Sequence, residues 1–84
     1  MTSKEILKRQ IIYRSTHRGT KEMDLLLGNF VKKYINKFKY DDLTHLAKLL
    51  NIEDEVICKW YFEKKSNGNI PKSNVSKMLK KFKL

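Results

Sequence analysis

The residues best suited to chemistry in this chain lie in one short stretch, Arg18-Gly19-Thr20-Lys21-Glu22. It joins a cation, a residue without a side chain and, three positions later, a carboxylate. Gly19 can cap a helix or adopt a positive φ that alanine would resist, and it lets another backbone approach closely. The spacing alone favours an ordinary helix start with a solvated arginine over a compact charged surface that serves a function.

The other reactive side chains do not form a catalytic or metal-binding pattern. His17, His45 and Cys58 lack the spacing of a zinc site. Cys58 is expected to be a small packed side chain of a helix rather than a nucleophile. The glycines are scattered, so no phosphate-binding loop is predicted. The sequence therefore favours a binding module over an enzyme.

Length and charge narrow the function classes further. Eighty-four residues predict one domain, 1–84, with a modest core and no separate substrate domain. Of the net charge of +10, residues 1–17 carry +3, residues 18–65 carry +2 and residues 66–84 carry +5. Lysines outnumber arginines by 16 to 3, and lysine is a point charge rather than a planar fork. This distribution favours attraction to acidic surfaces over reading of bases.

The expected location is the cytoplasm of a bacterium. The single Cys58 excludes an internal disulfide, which suits a reducing compartment. No apolar run is long enough to span a bilayer, so no transmembrane segment is predicted. Lys4, Glu5, Lys8 and Arg9 interrupt any signal-peptide core. The heavy use of Lys, Ile and Asn is typical of an AT-rich bacterial genome.

Hydrophobic periodicity predicts an all-α fold, a single small bundle of five short helices. The first predicted helix begins at a capping box, Thr2–Glu5, and ends at Thr16. The next three run from Thr20 to Phe38, from Tyr40 or Asp41 to Leu50, and from about Glu53 through Tyr61. The last is a basic C-terminal helix over 73–83, capped by Ser73. The predicted core positions are Leu7, Ile11 and Ile12 with Tyr13 or Ser15; Met23, Leu26, Leu27, Phe30, Tyr34 and Phe38; Leu43, Leu46, Ala47 and Leu50; Val56, Ile57, Trp60 and Tyr61; and Val75, Met78, Leu79 and Phe82.

The segments between these helices carry turn signals. Asn51 is expected to end the third helix in the left-handed region. The run Ser66-Asn67-Gly68-Asn69, followed by Pro71, predicts a break before the last helix. Gly28 lies inside the second helix, where it costs about 1 kcal/mol relative to alanine. We therefore expect another helix to approach Gly28 closely.

Around the Arg-Gly pair the sequence resembles the SdhE-type succinate dehydrogenase assembly factors, small helical proteins with an Arg-Gly-x-x-Glu motif. The residues that carry the likeness are Tyr13-Arg14, Arg18-Gly19, Glu22, Met23-Asp24, the leucines at 43, 46, 49 and 50, Asp54, Trp60 and Ile70-Pro71. Together they cover about residues 11 to 80. The chain departs from the family at its lysine-rich end, 72–84, and at Tyr61-Phe62, where smaller aliphatic residues are expected.

The resemblance implies a non-enzymatic factor that binds the flavoprotein subunit of succinate dehydrogenase, with fumarate reductase as a second candidate. The factor would promote covalent attachment of FAD to a histidine of that client, would hold no cofactor stably itself and would act as a monomer. The implied partner-binding residues are Arg14, Arg18, Gly19, Glu22 and Asp24. Arg18 and Glu22 would hydrogen-bond across the interface, while Asp24 would be a structural partner of a nearby cation. Trp60 is expected in the core.

A helix-turn-helix nucleic-acid-binding protein is the alternative. Residues 46–52, followed by Val56, Ile57 and Trp60, have the apolar spacing of that motif. The recognition helix would, however, open with the three carboxylates of 53–55, which repel phosphates, so no nucleic-acid partner is expected. A third option, compatible with either function, is a basic amphipathic C-terminal helix lying on a membrane or an acidic protein.

Overall fold

The computed structural model describes residues 2–65 and 68–83, and over these residues the chain is all-α. Its helices are α1 (Ser3–Thr16), α2 (Lys21–Tyr34), α3 (Tyr40–Leu50), α4 (Asp54–Phe62) and α5 (Asn74–Lys81). The predicted bundle of five short helices is confirmed. Of the predicted break before the last helix, Gly68 and Asn69 form a turn, whereas Ser66 and Asn67 lie outside the described residues. No helix in the described ranges is both long and apolar enough to cross a membrane.

Side chains of Thr2, Thr20 and Ser73 cap α1, α2 and α5. Each hydroxyl accepts a hydrogen bond from the backbone N–H three residues later, at 3.2, 3.3 and 3.2 Å respectively. Each bond satisfies one N–H group that the helix itself leaves unpaired. The predicted starts of the first and last helices are confirmed. At α2 the cap is Thr20 rather than Gly19, because a glycine offers no side-chain acceptor.

Helix α2 ends at Tyr34, earlier than the predicted Phe38. Residues Ile35–Lys37 tighten into a 3₁₀ turn that leads to the start of α3. Phe38 is nevertheless buried, and its ring lies 6.2 Å from the ring of Phe30 between centroids. A single 3₁₀ turn at a helix end is common, and here it turns the chain without removing the aromatic residue from the core.

One hydrophobic core holds the helices together, with α1 packed on α2 and α3, and α3 packed on α5. Its buried members are Ile11, Met23, Leu26, Leu27, Phe30, Val31, Ile35, Phe38, Leu43, Leu46, Leu49, Leu50, Ile57, Trp60, Ile70, Val75 and Leu79. Trp60 belongs to the core, as predicted. Burial of this apolar surface is the main favourable contribution to folding.

The inner face of α1 differs from the prediction. Ile12 is 47% exposed and Tyr13 is 62% exposed, whereas Ile11 and Ser15 are buried. Residues four apart lie on one helix face, so a core face set by Ile11 and Ser15 turns Ile12 and Tyr13 toward solvent. The buried hydroxyl of Ser15 donates to the Ile12 carbonyl oxygen at 2.9 Å, which satisfies it within the helix.

Of two further local expectations, one is wrong and the other is confirmed in part. Asn51 has φ −80° and ψ −10°, so the left-handed geometry predicted for it is wrong. At Gly28 an added Cβ would lie 3.6 Å from Thr16 Cγ2 and 3.8 Å from the Ser15 carbonyl oxygen. The end of α1 therefore does approach α2 here, but at an ordinary contact distance that would admit a methyl group.

Candidate functional site

Arg18, in the connection between α1 and α2, points into the bundle rather than into solvent. Its side chain is only 9% exposed. Nε donates to Asp54 Oδ1 at 2.7 Å, and Nη2 lies 2.6 Å from the same oxygen. Nη1 and Nη2 donate to the carbonyl oxygens of Leu50 and Ile52, at 2.6 and 2.9 Å. Every guanidinium nitrogen is thus engaged inside the chain, so the solvated-arginine interpretation is wrong.

The carbonyl groups that Arg18 contacts belong to the end of α3 and the loop after it. The last carbonyl groups of a helix have no partner within the helix and need an outside donor. A cation is also favoured there by the negative end of the helix dipole. Arg18 therefore joins the α1–α2 connection to the α3–α4 connection through one side chain.

Asp54, the first residue of α4, completes this connection. Its Oδ2 accepts a hydrogen bond from the Gly19 backbone N–H at 2.7 Å, while Oδ1 accepts from the Arg18 side chain. A carboxylate in the first turn of a helix is stabilised by the positive end of the helix dipole. We refer to the contacts of Asp54 with Arg18 and Gly19 as the Arg18–Asp54 clamp.

Asp24 holds the same turn from the other side. Its Oδ1 accepts a hydrogen bond from the Arg18 backbone N–H at 2.6 Å. Asp24 lies in the first turn of α2 and is half-buried. The partner expected for Asp24 was a nearby cation; the partner observed is a backbone N–H of the turn. Two carboxylates from two helices therefore hold consecutive N–H groups, those of Arg18 and Gly19.

Gly19 is exposed, and its φ is not in the left-handed region. The positive φ considered from the sequence is therefore wrong. An added Cβ would lie 3.1 Å from Asp54 Oδ2, tighter than an ordinary contact. The structure thus explains this glycine by the close approach of the Asp54 carboxylate to the backbone.

Glu22 lies on the exposed face of the first turn of α2. None of the hydrogen bonds or ion pairs between described residues involves its carboxylate. The two charged ends of the motif are therefore separated: Arg18 is used inside the chain, and Glu22 faces solvent. Of the two, Glu22 is the one free to accept a hydrogen bond from another molecule. A direct contact of Arg18 with a partner stays a prediction.

Arg14 lies near the end of α1 and is exposed, with Nη1 donating to Asn51 Oδ1 at 2.9 Å. On the same helix the rings of Tyr13 and His17 stack at 4.0 Å between centroids, with 16° between their planes. These side chains and Gly19 line a shallow groove of about 490 Å³ between the two connections. Sequence reasoning assigned Arg14 and Gly19 to the site but did not include Tyr13, His17 or Asn51.

The remaining reactive residues lie apart from one another. His45 is exposed on α3, and Cys58 is half-buried beside the core on α4. Within residues 2–65 and 68–83, no group of histidine, cysteine and acidic side chains could hold a metal ion. On the exposed side of α4, a hydrogen bond to Glu55 and the charge of Glu55 raise the pKa of Lys59 above its ordinary value.

Comparison with known proteins finds similarity to succinate dehydrogenase assembly factors and to the family model that describes them. Residues 9–83 match the family model described as flavinator of succinate dehydrogenase. The chain is 34% identical over 65 residues to the mitochondrial succinate dehydrogenase assembly factor 2 of Arabidopsis thaliana, covering 77% of this chain and 35% of that protein. It is 36% identical over 78 residues to assembly factor 2-B of Drosophila willistoni, covering 90% of this chain and 50% of that protein.

A bacterial relative is also similar. The FAD assembly factor SdhE of Acetobacter pasteurianus is 33% identical over 55 residues, covering 66% of this chain and half of that protein. The chain thus spans about a third to a half of the length of these curated relatives. No solved structure matches it. None of these similarities supports the helix-turn-helix alternative.

Proposed function

Because the chain belongs to the succinate dehydrogenase flavinator family, we propose that it is a non-enzymatic assembly factor that promotes covalent attachment of FAD to the flavoprotein subunit of succinate dehydrogenase. The observation that carries the proposal is the family match over residues 9–83, which contain the Arg18-Gly19 turn and Glu22. The flavoprotein subunit of fumarate reductase is a second candidate client. The proposed place of action is the bacterial cytoplasm, and the proposed form is a monomer.

The proposed docking surface consists of Arg14, Gly19 and Glu22. All three are exposed; Arg14 and Gly19 line the groove, and Glu22 follows three residues after Gly19 in the first turn of α2. Glu22 offers an unpaired carboxylate to a donor of the client, and a charge-assisted bond of this kind is stronger than a neutral one. Gly19 presents backbone without a side chain, so a client segment can approach it closely. Arg14 adds a cation to the docking surface.

Besides the client contacts that the family resemblance implies for them, Arg18 and Asp24 have a positioning role in this proposal. The clamp and the Asp24 bond hold the turn before any partner arrives, at donor–acceptor distances between 2.6 and 2.7 Å. A turn that is already ordered loses little conformational entropy on binding. The buried arginine of the motif would therefore serve binding by fixing the shape of the surface that Gly19 and Glu22 present.

The chemistry of attachment belongs to the client and its FAD, which is the group that becomes bonded to a client histidine. This chain contributes binding that differs between client conformations. A protein that binds one conformation better than another shifts the population toward it. Holding the client where its histidine and the bound flavin are close raises their effective concentration. No acid, base or nucleophile of this chain is required for that.

Glu22→Gln is expected to weaken binding of the purified client flavoprotein by about 1 to 3 kcal/mol, roughly 5- to 150-fold. The substitution keeps the shape of the side chain and removes the charge of the unpaired acceptor. Isothermal titration calorimetry measures the change. Unchanged affinity would remove Glu22 from the interface.

Asp41→Asn is the matched control for Glu22→Gln. Asp41, like Glu22, is an exposed acid in the first turn of a helix. Its helix, α3, begins after the C-terminal end of α2, whereas Glu22 lies at the N-terminal end of α2. Both substitutions lose a similar interaction with a helix dipole. We expect the affinity of Asp41→Asn to stay within about twofold of the wild type. An equal loss in both variants would trace the effect to net charge and argue against the proposed surface.

A further inference from the structure

One exposed face of α2 leads away from the docking surface. Glu22, Leu25, Asn29 and Lys32 follow each other at intervals of three, four and three residues, and all are exposed. Residues at such spacing lie on one side of a helix. At a rise of 1.5 Å per residue the face is about 15 Å long between Glu22 and Lys32. It connects the docking surface to a second feature at the other end of α2.

That feature is a groove of about 780 Å³ between α2 and the segment that follows α5. We call it the basic groove; its lining consists of Leu25, Asn29, Lys32, Lys33, Phe82 and Lys83. Three of these residues are cations, and none of the described residues in the lining is acidic. The volume is within the range of sites that bind ligands or peptide side chains.

The groove also offers apolar surface between its cations. Leu25 is 48% exposed and supplies aliphatic surface to the groove. The ring of Phe82 lies edge-on to Phe30 at 5.4 Å between centroids, and the Tyr61 hydroxyl donates to the Phe82 carbonyl oxygen. These contacts hold Phe82 against the bundle. A rigid aromatic beside an exposed leucine is suited to receive one apolar side chain.

The lysines of the basic groove are not neutralised within the described part of the chain. The ion pairs found there join Arg18 to Asp54, Lys59 to Glu55 and Lys65 to Glu63. Lys32 and Lys33 occupy the last turn of α2, where the helix dipole favours cations. A ligand with carboxylates would therefore meet positive charge without having to displace a carboxylate of the described residues.

We propose that the basic groove binds an acidic peptide segment of the client that carries an apolar anchor side chain. The assignment of the segment to the client rests on the proposed function. Two observations support this choice of ligand. The lysines of the basic groove match the carboxylates of the segment in charge, and the exposed face of α2 connects the groove with the docking surface. Carboxylates of the segment contact Lys32 and Lys83, and its apolar side chain lies between Leu25 and Phe82.

A membrane surface is a poorer occupant. An amphipathic helix binds a bilayer by inserting a free apolar face. The apolar residues Val75 and Leu79 of α5 are fully buried in the core, so this helix has no such face to offer. The cations around the basic groove are lysines, which lack the planar fork that recognises bases. Anionic vesicles and duplex DNA are therefore competing ligands in the test.

The first test uses a six-residue peptide of glutamates around one central leucine, and its counterpart with glutamine in place of glutamate. Backbone amide shifts of the labelled protein are followed by NMR during each titration. The acidic peptide is expected to shift the amides of Leu25, Asn29 and Lys32, and the glutamine peptide to bind more weakly. No saturable shift at these amides overturns the proposal. Tighter binding of phosphatidylglycerol vesicles or of duplex DNA at the same amides also overturns it.

The second test compares two double charge reversals. Lys32→Glu/Lys83→Glu changes the basic groove, whereas Lys48→Glu/Lys72→Glu is the control. Lys48, like Lys32, lies in the last turn of a helix, and Lys72, like Lys83, lies outside the helices; all four are exposed. We expect the groove variant to bind both the peptide and the client about tenfold more weakly, and the control to change by less than about twofold.

The two proposals fail in different ways. If the wild-type chain does not bind the client, the proposed function fails. If the wild type binds the client, Glu22→Gln weakens that binding and the groove variant does not, the basic-groove proposal alone is overturned. Equal weakening by the groove and control variants also overturns it, because the effect would then come from net charge.

Discussion

Asp54→Ala is expected to lower the free energy of unfolding by about 3 kcal/mol, a large fraction of the stability of so small a domain. The substitution leaves the Arg18 guanidinium, whose side chain is 9% exposed, without its counter-charge. It also leaves the Gly19 backbone N–H without an acceptor. An uncompensated buried charge costs more than the ion pair itself contributes. Urea unfolding followed by far-UV circular dichroism measures the change.

Two comparisons separate the Arg18–Asp54 clamp from a general charge effect. Glu53→Ala removes the neighbouring acid, which is exposed and whose side chain forms no hydrogen bond or ion pair with another described residue; we expect a change within about 0.5 kcal/mol. Arg18→Ala combined with Asp54→Ala should cost far less than the sum of the single substitutions, because both remove one interaction. Additive costs in this double-mutant cycle would contradict the clamp.

Gly19→Arg is expected to reduce client affinity by more than about tenfold while leaving helical content intact. Gly19 is exposed and has no positive φ, so an added side chain can extend into solvent without backbone strain. The Cβ contact of 3.1 Å with Asp54 Oδ2 requires a shift of a few tenths of an ångström. We expect a stability loss of about 1 kcal/mol or less. Calorimetric titration of the client and far-UV circular dichroism measure both effects.

Gly68→Arg is the control for Gly19→Arg. Gly68 is also exposed, and an added Cβ there meets no atom of the other described residues within 4 Å. The control adds the same side chain and the same charge beside a different groove, which Trp60 and Ile70 also line, so it should bind the client like the wild type. Complete unfolding of Gly19→Arg would make the site structural. Equal loss of affinity in both variants would assign the effect to added charge.

Local sequence patterns were sufficient to predict most of the fold. Helix caps such as Thr2 and Ser73 depend on residues three positions apart, and the apolar faces of α2 to α5 repeat every three or four residues. Such signals act within one element. The errors arose where contacts between elements decide the outcome. On α1, packing against α2 and α3 selected Ile11 and Ser15 for burial and left Ile12 exposed.

The site was less predictable because its main contact joins Arg18 and Asp54, which are 36 positions apart. Spacing alone does not distinguish a surface arginine from one that is paired at that separation. One signal could have pointed to it: the end of α3 leaves carbonyl groups unpaired, and a donor must come from elsewhere. Arg18 supplies that donor to Leu50 and Ile52. The exposure of Glu22, by contrast, follows from its position outside the apolar face of α2.

The proposed function is tested most directly by the rate at which FAD becomes covalently attached to the purified apo-flavoprotein subunit. Flavin fluorescence of the denatured subunit on a gel reports the covalent bond. We predict faster incorporation when the wild-type chain or Gly68→Arg is added, and no acceleration by Gly19→Arg. An unchanged rate with the wild-type chain would overturn the proposed function, and full acceleration by Gly19→Arg would overturn the proposed docking surface.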